Sequence, residues 1–186
     1  MTLTGALLTT LVVAREWERG TFEALFVTPV RTGEILIGKT VPYFVLGMTG
    51  LLLSVLGGKI LFAVPIRGSL IILIIVSMIY LIVALSLGLV ISSLTRSQFL
   101  SSLAAILVTY LPALILSGFI FDLRSPPEAV QIISCIFPGR YYVAILQSLF
   151  LAGNIWQVIL PNVAVLLFMA LILSMLAIRL TRKKLK

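Results

Sequence analysis

From Ser69 to Leu94 the sequence reads SLIILIIVSMIYLIVALSLGLVISSL, without one Asp, Glu, Lys or Arg. A helix needs about 20 apolar residues to cross the hydrocarbon of a bilayer. Three further stretches approach or meet that length: Thr40–Leu56, extendable through Gly57 and Gly58; Gln98–Ser117, continuing apolar to Phe121; and Val158–Ile178. With 61% apolar and only 11% charged residues, the chain departs from soluble domains in the direction of lipid. The fold class expected is all-α, a polytopic membrane helix bundle. Two shorter apolar runs, Met1–Ala14 and Tyr141–Ala152, the second closed by Gly153 and Asn154, are not long enough to be read as spans.

The placement of the basic residues explains the net charge of +8. Cytoplasmic loops of membrane proteins collect Lys and Arg. With Arg15–Lys39 and the tail Arg179–Lys186 inside, Arg15, Arg19, Arg31, Lys39, Arg96, Arg179, Arg182, Lys183, Lys184 and Lys186 lie on the cytoplasmic side, against Lys59, Arg67, Arg124 and Arg140 outside. That topology puts the C-terminus in the cytoplasm of a multi-pass inner or plasma membrane protein. It makes Tyr141–Ala152 a re-entrant or surface helix and leaves no reason to invoke nucleic acid. Absence of His and the single Cys135 exclude His-based metal or acid–base chemistry and an intrachain disulfide. No ionisable residue lies in the core of a proposed span, where a proton-driven carrier keeps its carboxylates, so an external energy source is expected. Met1–Ala14 lacks a positive n-region and reads as the end of a longer helix rather than a signal peptide.

GEILIGKT, Gly33–Thr40, fits the phosphate-loop pattern G-x-x-x-x-G-K-[ST]. A working loop follows a strand and surrounds phosphate with backbone N–H groups. Here the intervening residues are Glu34, Ile35, Leu36 and Ile37, a membrane span follows, and the single Asp122 falls on the opposite side. Neither nucleotide nor metal is expected on this chain, and it is not read as an enzyme.

The stretch before it, AREWERGTFEALFVTP from Ala14 to Pro29, holds Glu16, Glu18 and Glu23 among the six acidic residues of the chain. Trp17, Thr21, Ala24, Leu25 and Thr28 share one helical face, with Arg15, Glu16, Glu18, Arg19 and Glu23 over much of the rest. Gly20 is a candidate bend and Pro29 a stop. A helix lying in the headgroup layer is one reading. Three glutamates favour the other, a docking element for a cytoplasmic protein, because mixed charge gives a protein contact its orientation.

The pattern R-E-x-E-x-G-T-x-E-x-L-x-x-T-P in Arg15–Pro29, followed by Glu34-Ile35-Leu36-Ile37-Gly38-Lys39, resembles the permease subunit of type-2 ATP-binding-cassette exporters. The resemblance implies that Ala14–Pro29 is the coupling helix seated on an ATPase subunit, with Arg15, Glu16, Glu18, Gly20, Thr21 and Glu23 in the contact. It also implies that ATP and Mg²⁺ act on that partner, and that a second permease copy or paralogue completes the conduit. Many members carry a first membrane helix and an extracellular region upstream, which this chain is expected to lack.

A second stretch, LSGFIFDLRSPPEAVQIISCIFPGRYY from Leu116 to Tyr142, reads as an external hairpin. Ser125-Pro126-Pro127-Glu128 is a capped helix start, Ala129, Ile132, Ile133 and Ile136 form a helical stripe, and Pro138-Gly139 ends it before a second short helix. It could serve as a rigid closure over the bundle. It also resembles the re-entrant outer gate of the same family, which implies a hairpin at residues 118–152 and a gate role for Ser117, Gly118, Phe119, Phe121, Pro126, Pro127, Pro138 and Tyr141. The family often has Met-Pro where this chain has Pro126-Pro127.

Small residues at four-residue spacing, Ala84/Gly88/Ser92 and Ser101/Ala105/Thr109, are expected to let helices approach closely. Pro112 is a candidate kink and Pro42 a helix-boundary marker. The function implied is an ATP-driven permease moving a hydrophobic or amphipathic substrate such as a drug or lipid. A membrane scaffold that recruits a cytoplasmic partner is the alternative.

Overall fold

The computed structural model describes residues 2–20, 32–61, 67–95, 97–116 and 135–181. Its helices are α1 (Thr2–Glu18), α2 (Thr32–Leu61), α3 (Leu70–Thr95), α4 (Gln98–Leu116), α5 (Pro138–Gln147) with a π-helical turn at Ser148–Ala152, and α6 (Trp156–Leu180). Among the described residues there is no strand. Many of these residues are β-branched and form helices poorly in water, yet a segment surrounded by lipid must satisfy every backbone group internally. Of the described helices, α2 from Gly33, α3 and α6 are long and apolar enough to cross a membrane.

Helix α3 is the axis of the bundle and touches every other helix, packing most extensively on α1 and α6. Both flanks of its second half are buried, Val83 to Gly88 almost without interruption. By contrast α2 and α6 turn large apolar side chains outward, among them Leu53, Ile60, Phe168 and Leu171. An apolar exterior of this kind is stable against lipid tails rather than water.

Close approach depends on the small residues. A Cβ on Gly88 would stand 2.6 Å from the Ala6 carbonyl oxygen and 3.0 Å from Thr10 Oγ1 on α1. One on Gly47 of α2 would stand 2.7 Å from both δ-carbons of Leu81 on α3. On α4, whose main neighbour is α1, the buried positions Ser101, Ala105 and Thr109 form the small-residue stripe read from the sequence. Between α3 and α6 the hydroxyls of Ser86 and Ser174 lie 3.0 Å apart, as do those of Ser93 and Thr181. Thr181 already donates to the Ala177 carbonyl, so Ser93 is the donor across the helices.

Two apolar clusters lie at opposite ends of α3. One joins Val13, Ile35, Leu36, Leu89, Val90 and Ala177. The other joins Leu51, Leu73, Val76, Tyr80, Tyr142, Ile145, Leu149, Ile159 and Leu166.

The structure redraws three local expectations. Helix α2 begins at Thr32, so Pro42 lies inside it rather than marking its boundary. Residues Gly33–Lys39, which precede the span counted from Thr40, belong to the same helix, with Ile35 and Leu36 buried against the first cluster. Pro138-Gly139, read as a stop, opens α5: Pro occupies the first turn, where its missing N–H is no loss and its φ is already helical. Cys135 and Ile136 form a turn, so Ile136 belongs to no helical stripe.

Candidate functional site

The last turn of α1 carries the candidate site. Arg15–Glu18 do not begin a separate helix; they continue the apolar α1 out of the bundle. The Arg19 N–H bonds to the Arg15 carbonyl and the Gly20 N–H to the Trp17 carbonyl, and Gly20 takes a φ of 67°. That left-handed conformation suits Gly and ends the helix. Thr21 and Glu23, and the rest of the stretch to Pro29, lie outside the described residues.

Arg15, Glu18 and Arg19 are exposed, while Trp17 packs against the Val13–Leu36–Ala177 cluster instead of standing free at a headgroup surface. Glu16 forms an ion pair with Lys39 on the second turn of α2. The side chains remain 28% and 17% exposed, so solvent screens the pair and it contributes less than a fully buried one. Glu18 reaches the other way: its Oε1 accepts the backbone N–H of Gln98, the first residue of α4, at 2.6 Å. That N–H is one of the donors a helix start leaves unsatisfied, and a carboxylate there also complements the helix dipole. Glu16 and Glu18 thus join α1 to the beginnings of two other helices.

Sequence reasoning missed both acceptor–donor partners. Lys39 lies in an apolar helix, and such a cation calls for a counter-ion, which was the available signal. Nothing local points to Gln98, because the contact is to backbone. All of GEILIGKT lies within helix α2, so its first five residues form helical turns rather than a loop. Gly38, Lys39 and Thr40 have helical backbones, Lys39 is paired with Glu16, and the Thr40 hydroxyl donates to the Leu36 carbonyl at 2.7 Å.

At the opposite end, Pro138 is buried at the start of α5 and the Tyr141 hydroxyl donates to the Cys135 carbonyl at 2.9 Å. Ser117, Gly118, Phe119, Phe121, Pro126 and Pro127 lie outside the described residues. The residue with the deeper role is Tyr142, which the sequence did not single out. Its ring stacks on Tyr80 with centroids 4.1 Å apart, and its hydroxyl lies 2.8 Å from that of Ser77. Ser77 donates to the Leu73 carbonyl, so Tyr142 is the donor. The π-helical turn that follows is tied to the start of α3: the Gly68 N–H donates to the Leu149 carbonyl at 2.8 Å, and the Ser69 N–H to Asn154 Oδ1 at 2.9 Å.

A bundle of apolar helices with a charged, internally braced turn at one end is a polytopic membrane protein with a polar handle. Its sequence matches the ABC-2 family transporter protein profile over residues 1–179, and the chain belongs to that family. It is 48% identical over 167 residues to the probable multidrug ABC transporter permease YbhS of Escherichia coli K12, covering 90% of this chain and 44% of that one. It is 32% identical over 145 residues to the probable multidrug ABC transporter permease YbhR of the same organism, covering 78% of this chain and 39% of that one. To the inner membrane transport permease YhhJ, also from E. coli K12, it is 32% identical over 164 residues, covering 87% and 43%. The chain therefore spans less than half the length of these curated relatives. No solved structure matches it.

Proposed function

We propose that the chain forms the membrane-spanning part of an ATP-driven exporter, carrying a hydrophobic or amphipathic substrate out of the cytoplasm. ATP and Mg²⁺ act on a partner ATPase of the ATP-binding-cassette class, and a second permease, identical or related, completes the path. Arg15, Glu16, Glu18, Gly20, Thr21 and Glu23 belong to the region that meets the ATPase. The outer gate is formed by Ser117, Gly118, Phe119, Phe121, Pro126, Pro127, Pro138 and Tyr141. The end of the bundle bearing Arg15, Lys39 and Arg179 faces the cytoplasm of an inner or plasma membrane.

The observation that carries this reading is the charged turn at the end of α1. It is the place where a helix packed along the central α3 leaves the apolar bundle with paired acids and bases, in a chain of a transporter family. The test is reconstitution of the full permease with its ATPase in lipid vesicles and measurement of ATP hydrolysis across a panel of lipophilic cations and lipids. Stimulation by any of them supports transport, whereas binding of the ATPase with no stimulation by the whole panel supports a scaffold instead. Charge reversal of Glu23 is expected to weaken ATPase binding. Hydrolysis by the purified permease alone, abolished by Lys39→Ala, would overturn the assignment of ATP to the partner.

A further inference from the structure

We propose that Glu16 and Glu18 are positioning residues: together they brace the end of α1 against the first turns of α2 and α4, so that the three helix ends move as one body. This rests on the functional reading above and specifies how a push on the segment beyond Gly20 is passed to the spans.

The geometry carries it. Residues two apart on a helix with 3.6 residues per turn point to nearly opposite sides. Glu16 therefore meets Lys39 on α2, while Glu18 meets the Gln98 amide that opens α4. Trp17, between them, packs against the apolar cluster that contains Ile35 and Leu36 of α2. Immediately beyond, Gly20 at φ 67° leaves the helical conformation. The two polar ties thus sit at the point where α1 leaves the bundle, and each engages a different helix. A carboxylate held by Lys39 is a strut inside this chain, within the region that meets the ATPase.

The experiment uses the full permease with its ATPase in nanodiscs and reads backbone hydrogen exchange by mass spectrometry, nucleotide-free and trapped with ADP and vanadate. In the nucleotide-free state, Glu16→Lys and Lys39→Glu each speed exchange over the first turns of α2 on the order of fivefold, and the double exchange of charge restores it. Glu18→Ala speeds exchange at the start of α4, and Glu18→Gln, which keeps an acceptor oxygen, does not. On trapping, the wild type changes exchange at the starts of α2 and α4 together; Glu16→Lys uncouples α2 from that response and the double exchange recouples it. If Glu16→Gln and the single reversals leave α2 unaffected, or the double exchange is as defective as the singles, the brace is wrong. If the wild type shows no response to trapping, the ATP-driven reading fails, and the nucleotide-free measurements still decide the brace.

Discussion

Gly88 and Gly47 show how the same substitution acts through different neighbours. A methyl group on Gly88 meets the Ala6 carbonyl, a backbone atom that cannot move aside without shifting α1, whereas on Gly47 it meets the side chain of Leu81, which is fully buried but is not backbone. Gly88→Ala is expected to destabilise by about 1–3 kcal/mol, the range for overpacking a tight site. Gly47→Ala should cost less, and Gly50→Ala, with nothing within 4 Å of the added carbon, should be nearly neutral. Thermal unfolding of the three variants in detergent ranks them. At the opposite end, Tyr142→Phe removes the hydrogen bond to Ser77 and keeps the ring on Tyr80. A loss of about 0.5–1.5 kcal/mol is expected in the same assay, with Ser77 still bonded to the Leu73 carbonyl.

Among elements, the junction of α5 and α6 is the most demanding. Gly153 has φ 92° and ψ −152°, a region open essentially to Gly alone, and it closes the π-helical turn by donating to the Ser148 carbonyl at 2.7 Å. Gly153→Ala should therefore cost about 1–3 kcal/mol. Because the turn's Leu149 carbonyl accepts the Gly68 N–H, the same variant should hasten hydrogen exchange at Gly68, at the start of another helix. The positions of α3 and α6 and the start of α4 were legible from apolar run length alone, since these helix ends in the structure fall close to the ends of the uncharged stretches. The extension of α2 back to Thr32 was hidden because apolar run length counts the span only from Thr40, after the charges Glu34 and Lys39, whereas Glu16 meets Lys39 and the apolar cluster takes Ile35 and Leu36. The α1 turn was singled out by its charge pattern. That its acids engage helices on this same chain was not legible, since those contacts join residues far apart in sequence and one is made to a backbone amide.

For the whole molecule, the two ends of the bundle give a direct test of sidedness. Cys135 is exposed beside α5, while Arg19 is exposed at the end of α1, and α3 runs between the two apolar clusters that underlie these sites. An impermeant maleimide applied to intact cells is expected to label Cys135. In a Cys135→Ser background, Arg19→Cys should react only after the membrane is opened. Labelling of both from outside would overturn the proposed topology. The arrangement of α1 has a further consequence for assembly. Its Thr9 and Thr10 hydroxyls donate to the Gly5 and Ala6 carbonyls of their own helix, at 2.8 and 2.6 Å. A ribosome completes this helix well before the central one that will cover it. With both hydroxyls parked on its own turns, the newly made segment can wait among acyl chains without exposing a bare donor to them.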